Sequence, residues 1–199
     1  MGTWSPVVRL VQPGSPEFHG FNVDLDGAGN FVVGEPNGFI PGNPGSSGSI
    51  RFYRTERPVG TTYCSSTLNS TQRFGGIAAL GSELVSDGQV TLVAYQLPPN
   101  AFGFFITSRT QVLVNQPASS HGVLCLGGAI GRYVGAGQIQ NAGGAGTFDL
   151  VLALGQTPTP TGLVQVQAGQ TWNFQCWYRD AMMGTATSNF TDGLSITFQ

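Results

Sequence analysis

The segment 171–179 sets Asn173, Gln175, Trp177 and Arg179 at two-residue spacing. On an extended chain that spacing puts all four on one face. An indole, two amides and a guanidinium are a set that binds sugars. The C–H face of a sugar ring stacks on the aromatic plane, while the amides and the guanidinium bond its hydroxyls. The competing reading is structural, with Trp177 covered by a loop or by the N-terminal segment.

Other chemistries find weaker support. Nucleophilic hydrolysis needs a base beside a nucleophile. His121 follows Ser119 and Ser120, but neighbours on an extended chain point apart, and the chain has no G-x-S-x-G elbow. Residues 117–122 read as a polar loop. Zinc needs clustered ligands at short spacing, and His121 with Cys125 is the nearest approach. Glycoside hydrolysis needs two carboxylates across a cleft. Ten acidic residues are present, none in a recognisable motif, and Asp180 and Asp192 read as turn caps beside Arg179. All eight basic residues are Arg, so lysine Schiff-base and P-loop mechanisms are excluded.

Composition narrows the class further. A formal net charge of −2 with 9% charged residues does not suit a phosphate-neutralising nucleic-acid binder. The 40% hydrophobic and 11% aromatic content is enough to bury a core. No apolar run approaches the roughly 18 residues of a membrane helix. Cys64, Cys125 and Cys176 allow one bridge and one leftover thiol, in three pairings. The sequons Asn69-Ser70-Thr71 and Asn189-Phe190-Thr191 matter only in a eukaryotic secretory pathway. A Lys-free, sparsely charged surface suits a secreted bacterial β-protein. No export signal opens the chain, so the expectation is that a signal and further sequence precede it.

The elements that position these residues read as strands. With 30 Gly and 12 Pro, long helices are disfavoured, and period-2 alternation recurs between turn residues. Trp172, Phe174, Cys176 and Tyr178 form the apolar face opposite the polar row. Val90, Leu92 and Ala94 alternate likewise, as do Phe148, Leu150, Leu152 and Leu154, and Leu194, Ile196 and Phe198. Phe102–Thr107 is continuously apolar, as in a central strand covered on both sides. Short strands of this kind indicate a β-sandwich or jelly roll. Residues 36–49 form a Gly/Pro/Ser/Asn loop between the strand-like runs Asn30–Gly34 and Ile50–Arg54. A linker-like break at 55–62 places a domain boundary near residue 58, giving 1–58 and 59–199.

Within the first part, the matching residues are Gly20-Phe21-Asn22-Val23-Asp24-Leu25-Asp26-Gly27, then Phe31-Val32-Val33-Gly34-Glu35-Pro36, then Gly48-Ser49-Ile50-Arg51-Phe52-Tyr53-Arg54. Residues 18–54 thereby resemble one FG-GAP repeat, the blade unit of integrin-type β-propellers. Glu35 stands where the repeat usually has alanine, and Phe18-His19-Gly20 breaks up its opening pair. Propellers have several blades, and one is present here. The expectation is the tail of a longer propeller protein, or a lone blade packed on the second domain. Such blades hold calcium in a hairpin, which implies a calcium reading for Asp24, Asp26 and Asn30. Hard cations take six to eight oxygens, yet Ala28 replaces one donor, and the alternative is a plain hairpin turn.

Residues 62–199 carry Thr62-Tyr63-Cys64, Leu97-Pro98-Pro99-Asn100 with Phe102-Gly103-Phe104-Phe105, Leu124-Cys125-Leu126-Gly127-Gly128, and Ile130-Gly131-Arg132-Tyr133. They close on Trp172-Asn173-Phe174-Gln175, Trp177-Tyr178-Arg179-Asp180 and Ser188-Asn189-Phe190-Thr191-Asp192. This part resembles an uncharacterised C-terminal β-sandwich domain of large secreted bacterial surface proteins, a family without an established activity. The resemblance implies a Cys64–Cys125 disulfide and leaves Cys176 as a buried thiol.

The expected fold is therefore all-β, a propeller-blade-like antiparallel sheet followed by a jelly-roll or Ig-like β-sandwich. The expected role is a non-enzymatic, secreted or cell-surface structural or adhesion module of a bacterial repeat protein. Its partners would be a polysaccharide, a surface protein or further copies of itself, with no nucleic acid and no membrane span. No cofactor is expected beyond the calcium reading. The alternative is a carbohydrate-binding module using Trp177, and a third reading is a glycoside hydrolase with unrecognised carboxylates. Arg109, Arg132 and Tyr133 stand as additions to the glycan face or to the packing.

Overall fold

The computed structural model describes residues 58–199 throughout, and residues 22–25, 31–35 and 49–53 as backbone. The chain divides into two compact units, Met1–Thr55 and Glu56–Gln199. The described structure is all-β, with 52% strand and no helix of seven or more residues.

In the first unit, β1 (Asn22–Leu25), β2 (Phe31–Glu35) and β3 (Ser49–Tyr53) form an antiparallel sheet in chain order. The two strand-like runs of the sequence are thus β2 and β3, paired from Phe31↔Tyr53 to Glu35↔Ser49. The backbone of Asp24 pairs with Val32. Asp26, Asn30 and the Asp24 side chain lie outside the described residues, so the calcium expectation rests on the sequence.

The second unit begins with β4 (Pro58–Val59), β5 (Thr61–Tyr63), β6 (Gly76–Gly81) and β7 (Val90–Tyr95). Next come β8 (Phe102–Ser108), β9 (Thr110–Asn115), β10 (Val123–Gly127), β11 (Gly131–Arg132), β12 (Gln140–Asn141) and β13 (Phe148–Val151). It ends with β14 (Thr157–Thr159), β15 (Gly162–Val164), β16 (Thr171–Met182), β17 (Thr185–Phe190) and β18 (Gly193–Thr197). Pro58 and Val59 pair with Leu80 and Ala79 on β6, which ties them to this unit.

Two antiparallel sheets pack as a sandwich. One runs β13-β7-β6-β4; the other runs β11-β8-β16-β18-β5, with β12 alongside β8 and β17 alongside β16. One core fills the space between them. Ile77, Val90, Leu92 and Ala94 face Phe105, Trp172, Phe174, Cys176, Tyr178, Leu194 and Ile196. Fully burying a large apolar side chain contributes roughly 1.5–3 kcal/mol, so this interface carries most of the unit's stability. The alternation read at Val90–Ala94 and Trp172–Tyr178 is the alternation of this core.

The strand expected over 148–154 is shorter. It ends at Val151, and Leu154 enters a short 3-10 turn while remaining buried. Leu152 donates its N–H to the Val90 carbonyl, one more bond in the register of β13 with β7, before the chain turns away.

Two glycines sit under aromatic rings on neighbouring strands. Gly76 pairs with Tyr95 and Gly193 with Tyr63, and a Cβ on either glycine would meet the ring at 2.3 and 2.6 Å. The rings replace the missing glycine side chains and cover the backbone there.

Strand β16 spans the second sheet and fixes its registers. Its residues 173–178 pair with β8 on one side, while on the other its start pairs with β18 and its end with β17. The hairpin β9–β10 stands outside both sheets as a third layer. It packs through Leu126 and Leu124 on Ile106, Phe190 and Trp177, on the face of β16 turned away from the main core.

Candidate functional site

The outer face of β16 carries the row read from the sequence, and the structure divides it in two. Asn173 and Gln175 lie under the β9–β10 hairpin and are 1% and 0% exposed. Trp177 is half-buried at the hairpin's border, and Arg179 is exposed. The four residues share a face as the alternation requires, but they do not form one open surface.

The covered amides are engaged within the chain. Asn173 accepts a hydrogen bond from Gln111 Nε2 at 2.8 Å and donates to the Ser108 carbonyl at 3.2 Å. Gln175 accepts the Cys125 N–H at 3.0 Å and donates to the carbonyls of Val123 and Thr191, both at 2.8 Å. Buried amides need such partners, because an unpaired one costs its desolvation.

The reason lies in β9–β10. Leu124 pairs with Val114 and Leu126 with Gln111, so Val112 and Leu113 stand opposite Cys125 in a bulge. The Cys125 backbone is thereby left to other partners. Gln175 takes its N–H, and the Tyr63 hydroxyl donates to its carbonyl at 3.1 Å. Burial pushes the Tyr63 hydroxyl up to about 12, which keeps it protonated as the donor. The Cys64–Cys125 disulfide fastens the same point to the turn after β5. Cys176 is the free cysteine, on the opposite face of β16, and burial raises its thiol well above the ordinary value.

The open half is aromatic and basic. Trp177 pairs with Phe104 on β8 and with Phe190 on β17, and the Phe104 and Trp177 rings lie 5.0 Å apart. Phe102 and Arg179 each lie one residue past the Gly103–Tyr178 pair, and Phe102 is 51% exposed. On the far side of β8, Arg132 pairs with Ile106 and is exposed. Arg109, by contrast, holds its guanidinium 6.0 Å from the Trp172 ring centre, and Tyr133 is buried in the main core. Phe102 and Phe104 join this face although they lie outside the row of 173–179. Their signal was the odd–even split of the apolar run, which sends Phe105 inward and Phe102, Phe104 and Ile106 outward.

Asp180 and Asp192 are both occupied by backbone N–H groups. Asp180 accepts the N–H groups of Ser70 and Ala181 at 3.1 and 2.9 Å and faces Asn189 Nδ2 at 3.3 Å. Asp192 accepts the Ile77 N–H at 2.8 Å. Burial raises the Asp192 carboxyl, and the bond from Ile77 opposes that rise. Both acids clamp turns, Asp180 holding the 66–75 loop and Asp192 the start of β6. The Ser120 hydroxyl donates to the Ser188 carbonyl, and the His121 backbone bonds the same carbonyl and Thr67. Among the described residues, no group of three or more His, Cys, Asp or Glu is placed to hold a metal ion. No described helix is long and apolar enough to cross a membrane. No family model matches the chain, and comparison with curated proteins and with solved structures finds no match.

Proposed function

We infer that the chain is a non-enzymatic extracellular or cell-surface module of a bacterial repeat protein, serving structure or adhesion. The observation that carries this reading is the Cys64–Cys125 disulfide, which fixes the outer hairpin to the sandwich. Structural disulfides persist in oxidising compartments. The engagement of Asp180, Asp192 and Ser120 in backbone hydrogen bonds supports a scaffold role. The FG-GAP-like first unit fits attachment to further repeats, which need neighbours to bury their faces.

The test is adhesion without turnover. Beads coated with the chain are mixed with each other, with bacterial envelopes and with insoluble polysaccharides, while soluble sugar is assayed. Attachment or bead clustering with no sugar release is expected. Release of sugar that stops on replacing a single Asp or Glu would establish the hydrolase reading instead.

A second reading, glycan binding, is favoured by the half-buried Trp177 beside Phe104 and the exposed Arg179. It no longer draws on Asn173 and Gln175, whose amides are engaged beneath the hairpin.

A further inference from the structure

We propose that the open half of this outer face binds an anionic, carboxylate-bearing polysaccharide across Phe102, Phe104 and Trp177, with Arg132 and Arg179 as its two charge anchors. The proposal rests on the glycan reading and adds the class of sugar.

Registers place the five residues together. Cross-strand partners point to the same face, so Trp177 lies beside Phe104, and Arg132, itself exposed, lies beside the hairpin-covered Ile106 at the border of the open half. Alternation carries Phe102 and Arg179 onto this face, and Gly131 and Tyr133 onto the other. There Gly131 abuts the Pro158 carbonyl and Tyr133 enters the main core. The two arginines therefore flank an aromatic strip from opposite strands. Strand spacing and rise set their Cα atoms about 16 Å apart along a diagonal over the rings.

Charge selects the ligand. Neither guanidinium has an ion pair or hydrogen bond with another described residue. The residues that register brings beside the strip, Asn141 next to Phe102, Phe190 next to Trp177 and Ser188 next to Arg179, include no carboxylate. Asp180 follows Arg179 but points to the other face, where it holds Ser70 and Asn189. A purely basic pair on a chain of net charge −2 is a local complement to an acidic ligand. Guanidinium pairs with carboxylate bidentately, and the rings accept the C–H faces of the sugars between the two anchors. An acidic polypeptide would supply the charge but not the stacked rings.

The full chain is titrated with polygalacturonate, with a neutral glucan and with poly-L-glutamate, at low and high salt. Polygalacturonate is expected to bind and to weaken with salt. Arg132→Ala and Arg179→Ala are each expected to weaken it at least fivefold, and Phe102→Ala likewise. All three residues are exposed, so these variants keep the fold, and thermal unfolding checks that they do. Equal binding of neutral glucan, lost in Phe102→Ala but kept in both arginine variants, would overturn the anionic assignment while leaving the glycan reading intact. Binding of none of the sugars overturns both. Poly-L-glutamate binding as tightly as polygalacturonate overturns the proposal in favour of an acidic protein partner.

Discussion

The side-chain amide of Gln175 bonds the backbone on both sides of Leu124, accepting from the Cys125 N–H and donating to the Val123 carbonyl. One side chain of the central strand thus stands in for a missing neighbour of β10. It also reaches the Thr191 carbonyl, so it links the hairpin, β16 and the approach to β18. The second sheet and the hairpin meet at this amide.

Replacing Gln175 by Leu keeps the approximate volume and leaves the Cys125 N–H and the carbonyls of Val123 and Thr191 buried without that partner. Each unsatisfied buried group costs about 1–3 kcal/mol. A loss of about 3 kcal/mol or more is expected in urea unfolding. A loss under about 1 kcal/mol would show that the amide is not holding the hairpin.

The disulfide closes a loop with a sequence separation of 61. The chain-entropy relation gives about 4 kcal/mol for such a loop. The double replacement Cys64→Ala with Cys125→Ala is expected to lower unfolding free energy by up to about that amount. Hydrogen exchange should rise first in β9 and β10, the layer that the bridge fastens.

Cys176 is fully buried and its thiol is raised by desolvation. The thiolate is the reactive form. The folded, unreduced protein is therefore expected to give no reaction with a thiol reagent at pH 8, and one thiol per chain once unfolded in denaturant. A fast-reacting thiol in the native protein would contradict the pairing or the burial.

Asp192 titrates above its ordinary 3.8, because burial outweighs the bond from Ile77. Between 3.8 and its folded value, the native state holds the proton more tightly than the unfolded chain. Its stabilising contribution is full below 3.8 and is lost as pH rises through the folded value. Asp192→Asn keeps an oxygen for Ile77 and removes the charge, so its urea midpoint should lack this fall. Superimposable pH profiles for the two proteins would refute the assignment.

Both sequons are closed by the fold. Asn69 donates to the Gln96 carbonyl and accepts from the Thr71 and Arg73 N–H groups, while Asn189 donates towards Leu68 and Asp180. Folded protein secreted from a eukaryotic host is expected to carry no glycan at either position, as read by mass before and after deglycosylation. A glycosylated, stable species would contradict these contacts.

The sequence revealed the core more fully than the site. Alternation identified Trp172, Phe174, Cys176 and Tyr178 because a two-sheet core imposes period two on each strand that lines it. The opposite face of β16 obeys the same period, so period alone could not show whether it was covered. Its cover is the hairpin formed by residues 110–127, distant in sequence and bulged. Nothing within 171–179 indicates it. Gln175 is polar for the hairpin backbone groups at Val123 and Cys125, and Asn173 for the Gln111 side chain and the Ser108 carbonyl. The Cys64–Cys125 bridge came from the resemblance, since three cysteines alone permit three pairings. Leu154 shows the complementary limit: a buried leucine keeps its burial after its strand has ended.

The proposed extracytoplasmic placement is tested by the thiol state of the protein in the cell. Cells that make the protein are quenched in acid, and free thiols are alkylated under denaturing conditions before mass measurement of the intact chain. One alkylated cysteine, Cys176, is expected, with Cys64 and Cys125 joined. Alkylation at all three positions would place the protein in a reducing compartment and contradict that placement.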